Sequence, residues 1–319
     1  MKILLTGSHG FIGSNLRRVL VYAPPLELIT VDNLSTPNTH YNITRNSEAP
    51  NYIGDISNAH FINAVFKIEK PDYVINMAAQ SFVDASIKNA SPFIKTNILG
   101  AQILLDASVK HNVKKFLQVS TDEVYGHLQE NEDAWTEKSP TNPRNPYSIS
   151  KLTAEHLVKA ANKKYNLPYI ITRSSNNFGP HQPKRNLIPT VLHSIFNNLP
   201  IPVYGEGKQM REWIYVDDHC DAILQLLYSD QINQTFNIGS GIEMKNIDLV
   251  NTICEMIGRG GELITFVEDR KTHDQRYSIN CDKIKDAINW KLKYSFEAGM
   301  KKTIEWYQNN KEYLTISAF

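Results

Sequence analysis

The side chains best suited to chemistry lie between residues 120 and 151. Two hydroxyls and two carboxylates, Ser120-Thr121-Asp122-Glu123, directly follow the apolar residues 116–119. A buried strand here would end with these side chains at the carboxyl edge of its sheet, where ligands bind in open α/β folds. Adjacent carboxyl groups in a partly buried pocket can hold different protonation states, because each charge raises the pKa of its neighbour. The pattern favours an acid and a base over an exposed acidic turn.

A tyrosine and a lysine, Tyr147 and Lys151, form a second reactive pair. Asn145-Pro146 before them is typical of a helix start, with an N-cap residue followed by proline in the first turn. The pair is then spaced i and i+4, on one face of the helix. A neighbouring ammonium favours the phenolate, so we expect the pKa of Tyr147 to fall from about 10 toward neutrality. This would make Tyr147 a base for a hydroxyl group.

The N-terminal residues have the pattern of a dinucleotide-binding loop. We predict a strand over 2–5 and a helix over 11–20, with a GxxGxxG sequence between them. Gly7 would permit the tight turn, Gly10 would let a pyrophosphate approach the backbone, and Gly13 would let helix and strand pack closely.

The next strand, expected over 27–31, ends at Asp32, which lies where a ribose-binding acid is expected. Its carboxylate would accept a hydrogen bond from a 2′-hydroxyl and repel a 2′-phosphate, and Asn33 and Leu34 bring no cation. NAD is therefore favoured over NADP, and its nicotinamide ring would add positive charge beside Tyr147. Asp55 and Ile56 could hold the adenine.

Strands and helices alternate through the first half of the chain. Further strands are expected over 71–79, 115–119 and 169–172, and a helix over 92–110. The first of these strands ends in Met77-Ala78-Ala79, and small residues would let a cofactor pass close to the backbone. This alternation predicts right-handed crossovers and an α/β fold with a doubly wound parallel Rossmann-type sheet.

Composition excludes several classes of partner. Lys+Arg 34 against Asp+Glu 33 gives a net charge of +1, so nucleic acid and membrane partners are not expected. No apolar run is long enough for a signal peptide or a bilayer span. Cys220, Cys254 and Cys281 have neither disulfide nor metal spacing, which predicts no metal site and buried free thiols in a reducing cytoplasm.

The chain resembles the nucleoside-diphosphate-glucose 4,6-dehydratases of the extended short-chain dehydrogenase/reductase superfamily, almost end to end. The motifs that carry the resemblance are Thr121-Asp122-Glu123-Val124-Tyr125-Gly126, Tyr147-Ser148-Ile149-Ser150-Lys151, Thr172-Arg173-Ser174-Ser175-Asn176-Asn177-Phe178-Gly179-Pro180, Arg211-Glu212-Trp213-Ile214-Tyr215-Val216-Asp217-Asp218-His219 and His273-Asp274-Gln275-Arg276-Tyr277.

The resemblance implies a redox-neutral dehydration in deoxysugar biosynthesis, for example of rhamnose. Tyr147 would take the 4-hydroxyl proton while C4 passes hydride to a tightly bound NAD, and Thr121 would hydrogen-bond the 4-oxygen. Glu123 would then remove the C5 proton, and protonated Asp122 would give a proton to the departing 6-hydroxyl. Hydride return to C6 regenerates NAD. Lys151 would assist Tyr147.

The resemblance also implies the remaining contacts and the domain division. The NAD-binding domain would span 1–175, with a return at about 211–240, and a smaller α+β lobe binding the nucleotide sugar would comprise 176–210 and 241–319. Further cofactor contacts are expected at Phe11, Ile12, Ser35, Thr96 and Asn177. Substrate contacts are expected at Ser81, Asn176, Asn186, Leu187, Tyr204, Arg211, Asn246, Arg270 and His273.

Arg211 and Arg270 are the predicted diphosphate ligands, because guanidinium matches phosphate oxygens in bidentate fashion. Three positions depart from the family pattern. Asn186 stands where a lysine is usual, which leaves open whether Lys184 or Arg185 reaches the phosphates. Phe82 replaces a common histidine, and Lys271-Thr272 replaces the usual Pro-Gly.

Two alternative functions remain open from the sequence. A nucleotide-sugar epimerase or decarboxylase would share the glycine loop and Tyr147/Lys151, but it generally has a hydroxyl or small residue in place of Asp122. A non-catalytic NAD-dependent sensor would be expected to have lost one of the reactive residues. UDP and dTDP are not distinguished. A homodimer is expected through helices over 92–110 and 147–163.

Overall fold

The computed structural model describes residues 1–21, 26–46, 51–269 and 274–316. Its strands, in chain order, are β1 (Lys2–Thr6), β2 (Glu27–Asp32), β3 (Tyr52–Ile53), β4 (Tyr73–Asn76), β5 (Lys115–Thr121), β6 (Tyr169–Ser174), β7 (Asn176–Phe178), β8 (Ile201–Tyr204), β9 (Met210–Tyr215), β10 (Gln234–Ile238), β11 (Glu243–Lys245) and β12 (Ile264–Val267).

The α-helices are α1 (Phe11–Val21), α2 (Pro37–Asn46), α3 (Ala59–Glu69), α4 (Val83–Lys88), α5 (Ser91–Phe93), α6 (Ala101–Lys110), α7 (Pro146–Tyr165), α8 (Leu187–Asn197), α9 (Val216–Tyr228), α10 (Asn246–Ile257), α11 (Asp282–Ile288) and α12 (Phe296–Asn309). A π-helical segment, Ile94–Gly100, joins α5 to α6, and short 3₁₀ turns occupy Asp122–Tyr125, Gly261–Leu263 and Lys311–Thr315.

Seven parallel strands form the central sheet in the order β10-β6-β5-β4-β1-β2-β3. The chain winds outward in one direction from β1 and in the other from β4, so these neighbours flank the point where strand order reverses. A crevice opens at the carboxyl ends of the strands at such a point. The predicted doubly wound Rossmann-type sheet is confirmed.

The sheet is buried on both faces. All seven residues of β5 and all six of β6 are buried, including Lys115, Gln118 and Arg173, so these strands do not alternate between buried and exposed residues. β5 continues two residues beyond its predicted end, so Thr121 still belongs to the strand and Asp122 begins the following turn. The predicted helix over 92–110 is instead interrupted by the π segment, which turns Thr96 and Asn97 inward.

Two smaller sheets follow in sequence, β11-β9-β7 and β12-β8. β10, which lies between β9 and β11 in the chain, pairs with β6 and returns the chain to the central sheet. Among the described residues, no helix has both the length and the apolar character needed to cross a membrane. Cys220, Cys254 and Cys281 are buried and free, as predicted.

Candidate active site

The glycine loop between β1 and α1 depends on the absence of two side chains. Gly7 has φ +66°, and a Cβ there would lie 2.7 Å from the Ala78 nitrogen. A Cβ on Gly13 would lie 2.0 Å from the Gly7 carbonyl oxygen. The predicted tight turn and close helix packing are therefore both present, and they leave the amino end of α1 facing the crevice.

Asp32 is fixed at the end of β2. Its side chain is 6% exposed, and its two oxygens accept hydrogen bonds from the backbone N–H groups of His9 (2.9 Å) and Leu34 (2.8 Å). The first bond ties the carboxylate to the glycine loop, and the second holds the turn that follows the strand. Asp32 is thus an oriented acceptor on the wall of the crevice.

A cleft with an empty volume of about 1020 Å³ occupies the crevice. Most of the predicted cofactor residues line it, together with Ser81 and Asn186 from the predicted substrate set. The lining residues that the sequence predicted are Gly7, Gly10, Phe11, Asp32, Asn33, Ser35, Ile56, Met77, Ala78, Ala79, Thr96, Ser81 and Asn186.

Some predicted cofactor residues lie outside this lining. Gly13 packs against Gly7, and the Leu34 backbone N–H donates to Asp32. The Ile12 carbonyl accepts from the Cys220 thiol. Asp55 forms an ion pair with Lys95 (3.1 Å) and caps the turn at Ser57. The lining also excludes Tyr147, Lys151 and Asn177.

Buried hydrogen bonds connect β1, the strand before the glycine loop, with β5. The Thr6 hydroxyl donates to the Asn76 side chain (2.8 Å), and the Asn76 amide donates to Gln118 (2.9 Å). These residues belong to β1, β4 and β5, which are neighbours in the sheet. The Thr6 oxygen also accepts from the N–H groups of Met77 and Ala78. The cofactor loop and β5 are therefore held in fixed register.

The predicted acidic pair lies in the turn after β5. The Thr121 hydroxyl donates to Asp122 Oδ1 (3.3 Å) and accepts from the Glu123 N–H (3.3 Å). Glu123 Oε2 accepts from the Asn145 side-chain amide (3.2 Å). The two carboxyl groups therefore have different surroundings, although they are adjacent in sequence.

Asp122 is 2% exposed, and within the described residues its Oδ2 atom has no hydrogen-bond partner. Burial raises the pKa of this carboxyl well above its usual range, and the charges of Glu123 and Glu212 add to the rise. The hydrogen bond from Thr121 and the charge of Arg211 oppose it. This environment favours the protonated form of the Asp122 carboxyl.

Tyr147 and Lys151 lie in the first turns of α7, as predicted. Asn145 caps this helix by accepting from the Ser148 N–H (2.9 Å), and Pro146 occupies its first turn. The Lys151 ammonium donates to the Val119 carbonyl (2.6 Å), and burial lowers the pKa of Lys151 to about 8.

The predicted fall in the pKa of Tyr147 is wrong for this structure. Burial raises that pKa, the charges of Glu123 and Asp122 raise it further, and an interaction with Thr121 opposes the rise. Lys151 is directed at a strand carbonyl and does not dominate the balance. A positively charged ring beside the phenol would act in the opposite direction.

The predicted substrate residues are distributed over several elements. Arg211 is buried, stacks on Tyr277 (4.5 Å) and donates to the carbonyls of Met210 (2.8 Å) and Asp274 (2.9 Å). Its charge lowers the pKa of Asp122, so β9 lies near the turn that follows β5. Arg270 and His273 lie outside the described residues.

The remaining members of the substrate set lie at the starts and ends of elements. Asn176 begins β7, where it pairs with Trp213 of β9, and Leu187 begins α8. Tyr204 ends β8 with 42% of its surface exposed, and Asn246 begins α10. Asn177, from the predicted cofactor set, is buried and hydrogen-bonds His219 (2.8 Å).

Sequence reasoning missed three features of the site. It took Asn145 only as a helix cap and assigned no role to the Thr6-Asn76-Gln118 hydrogen bonds. It left Arg185 as one of two candidates, whereas Arg185 lines the cleft. Asparagine and glutamine inside apolar strands were a usable signal, because buried amides require partners.

Comparison with known proteins identifies the family. The sequence profile of the GDP-mannose 4,6 dehydratase family matches residues 4–303. The low-salt glycan biosynthesis protein Agl12 of Haloferax volcanii is 40% identical over 98% of this chain and 100% of its own. The dTDP-glucose 4,6-dehydratase 1 of Escherichia coli K12 is 38% identical over 98% of this chain and 94% of its own.

The fold is similarly close to a solved dehydratase. The crystal structure of DesIV, a dTDP-glucose 4,6-dehydratase from Streptomyces venezuelae with NAD bound, superposes with a TM-score of 0.91 at 34% identity and covers 98% of both chains. Matching sequence, fold and glycine loop lead to one conclusion: this chain belongs to the GDP-mannose 4,6 dehydratase family of the extended short-chain dehydrogenase/reductase superfamily.

Proposed function

We propose that this protein converts a nucleoside-diphosphate glucose, UDP-glucose or dTDP-glucose, to the 4-keto-6-deoxy sugar nucleotide. The observation that carries the proposal is Asp122, a buried carboxyl group with a raised pKa, directly beside Glu123 in the turn after β5. Oxidation at C4 alone requires no second carboxyl group. Elimination of water requires both a base at C5 and an acid at the C6 oxygen, and this pair supplies them.

The surroundings of each carboxyl support its assignment. The raised pKa of Asp122 favours its protonated form, which can give a proton to the departing 6-hydroxyl. Glu123 accepts a hydrogen bond from Asn145, which supports its ionised form as the base at C5. Tyr147, in the first turn of α7, is the base for the 4-hydroxyl. Thr121 presents a hydroxyl between the carboxyl pair and the phenol, where it hydrogen-bonds the 4-oxygen.

NAD is the cofactor, and the residues present fit it. The open backbone of the glycine loop would face its pyrophosphate, and the fixed carboxylate of Asp32 would accept from its ribose hydroxyls. Bound there, NAD would supply an acceptor for the hydride from C4 of the sugar and a donor for its return to C6. The chain itself orients this region through Thr6, Asn76 and Gln118.

Incubation of the purified protein with UDP-glucose and with dTDP-glucose, without added NAD, tests the proposal. We expect a 4-keto-6-deoxy product from at least one substrate. A ketone that keeps its 6-hydroxyl, a C4 epimer, or no turnover would refute it. Tyr147→Phe should block the first oxidation, so normal NADH formation in that variant would contradict the assignment of the base.

The alternatives are a 4-epimerase or a decarboxylase, and a non-catalytic NAD-binding protein. Asp122 argues against the first group, because neither reaction has a C6 leaving group to protonate. Intact Tyr147, Lys151 and Glu123 argue against the second. The experiment above separates all three, since each predicts a different product or none.

Exposed apolar side chains support a homodimer. Ile94 is 54% exposed, Leu99 48% and Ile149 49%, on the two helical segments expected to form the contact. Light scattering of the wild type should give twice the chain mass, and Ile149→Glu should reduce it. Buried free thiols fit a cytoplasmic location.

The two-lobe division, with NAD-binding residues 1–175 and a return at about 211–240, is supported by β10 in the central sheet. The smaller sheets support a nucleotide-sugar lobe formed by 176–210 and 241–319. β9, at the start of the return, pairs with β7 and β11 rather than with the central sheet.

A further inference from the structure

His9, in the glycine loop, is held through both of its backbone groups. Its N–H donates to Asp32 Oδ2 (2.9 Å), and its carbonyl accepts from the side-chain amide of Asn42 on α2 (2.7 Å). The same amide donates to the Ser14 hydroxyl (3.0 Å), which in turn donates to the Gly10 carbonyl (2.7 Å). Asn42 is fully buried. One amide on α2 therefore supports the glycine loop at two carbonyls and acts through His9 on the Asp32 carboxylate.

The orientation of the Asn42 amide fixes the hydrogen on a neighbouring imidazole. The His9 carbonyl can only accept, so the amide nitrogen faces it and the amide oxygen faces His181 Nδ1 (2.7 Å). An amide oxygen cannot donate, so Nδ1 of His181 carries the hydrogen. Burial lowers the pKa of His181 to about 3, and the charges of Arg18 and Arg17 add to the fall, which favours the neutral ring. His181 is therefore a fixed donor to Asn42.

The C-terminal part of the chain holds His181 in turn. Tyr313, in the 3₁₀ turn Lys311–Thr315, is fully buried and donates its hydroxyl hydrogen to the His181 carbonyl (2.6 Å). Trp306 of α12 packs against the imidazole, with ring centroids 4.6 Å apart. His181 has φ +68°, a backbone conformation that residues other than glycine rarely adopt. These contacts stabilise that conformation and so place Nδ1 opposite Asn42.

Asn42 and His181 lie behind two segments that line the cleft. Asn38 and Thr39 precede Asn42 on α2, Pro183 follows His181 by two residues, and all three line the cleft. The described lining does not include Asn42 or His181. Their hydrogen bond therefore joins the two segments from behind the lining, where it can position residues that contact a ligand.

We infer that Asn42 is a positioning residue for NAD, because it fixes the backbone of the glycine loop and the carboxylate of Asp32. His181 and the C-terminal turn at Tyr313 hold the Asn42 amide in the orientation that this requires. The inference rests on the NAD cofactor of the proposed function. A change in the C-terminal turn should therefore weaken NAD binding, although Tyr313 is outside the cleft lining.

Two measurements on the purified protein test the inference without turnover: its NAD content after gel filtration, and the rise of its melting temperature with added NAD. Asn42→Asp keeps the size of the side chain but lacks both N–H donors. The apparent dissociation constant for NAD should increase by about tenfold to a hundredfold, as expected for the loss of two hydrogen bonds. Asn63→Asp is the matched control, because the Asn63 amide donates to a carbonyl within its own helix, α3, and this variant should bind NAD like the wild type.

His181 offers two variants of similar size, one with a donor and one without. Asparagine and aspartate both tolerate positive φ. His181→Asn can present an N–H near the position of Nδ1 and should retain NAD, whereas His181→Asp lacks this donor and should bind NAD more weakly. Tyr313→Phe removes one hydroxyl and should weaken NAD binding by about threefold to tenfold.

A lower melting temperature in the absence of NAD, combined with an unchanged dissociation constant, would show a structural role alone and overturn the inference. Equal NAD affinity of the two His181 variants, or a wild type that binds no NAD, would also overturn it. If Asn42→Asp does not fold, the two His181 variants decide the matter. A protein that binds NAD through Asn42 but forms no 4-keto-6-deoxy product would refute only the proposed function.

Discussion

Asp122→Asn separates the acid role of this residue from its effect on folding. The exchange keeps the size of the side chain and removes its titration. Because the folded-state pKa is raised above the unfolded value of about 3.9, the folded chain binds the proton more tightly. The stability of the wild type therefore falls by about 1.4 kcal/mol for each pH unit between those two pKa values.

The variant lacks this loss, so its free energy of unfolding relative to the wild type should rise with pH from about 4 upward and then level off. Denaturant unfolding at a series of pH values measures the difference. Asp286→Asn is the matched control, since Asp286 is exposed on α11 and should give a curve parallel to the wild type. A parallel curve for Asp122→Asn would refute the raised pKa.

The activity of Asp122→Asn should fall, although its stability relative to the wild type rises. Loss of a general acid slows proton transfer by about 10²- to 10⁴-fold, so water elimination should slow by that factor. C4 oxidation should still occur, and NADH should accumulate in a single turnover followed by absorbance. Asp122→Asn would then be more stable and less active, a common result at strained catalytic sites. Unchanged turnover would refute the acid role.

Three other predictions follow from the site. Asn145→Ser should keep the helix cap but lose the hydrogen bond to Glu123, so C5 deuterium exchange should slow while the melting temperature stays unchanged. Asn145→Ala should also lose about 1 kcal/mol of stability. Normal exchange in the serine variant would show that Asn145 acts only as a helix cap. The rate of C4 oxidation should decline as pH rises through about 8, where Lys151 loses its proton. The pH profile of the residual activity of Lys151→Arg should lack this decline. Gly13→Ala should lower the melting temperature and abolish NAD retention, whereas Gly261→Ala, with open space around it, should change neither; a stable, NAD-bound Gly13→Ala would contradict the packing argument.

The sequence predicts the fold well because its signals are local. The glycine spacing predicts a tight turn, and Asn145-Pro146 predicts a helix start, because each of these structures depends on a few neighbouring residues. The π segment at Ile94–Gly100 and the rise in the pKa of Tyr147 were not predictable in this way. Both depend on burial and on charges from distant segments, which only the folded chain brings together.

The assignment of acid and base is the clearest case of this limit. Asp122 and Glu123 are neighbours with the same functional group, and it is the family resemblance, not their residue types or spacing, that gives Asp122 the proton. The end of β5 gives the two carboxyl groups different surroundings. Asp122 points inward, and its Oδ2 atom has no hydrogen-bond partner among the described residues. Glu123 accepts a hydrogen bond from the Asn145 side-chain amide. Burial then favours the neutral form of one carboxyl, and a donor favours the charged form of the other. In the proposed elimination one carboxyl group donates a proton and the other accepts one, so exchanging Asp122 and Glu123 should not preserve activity.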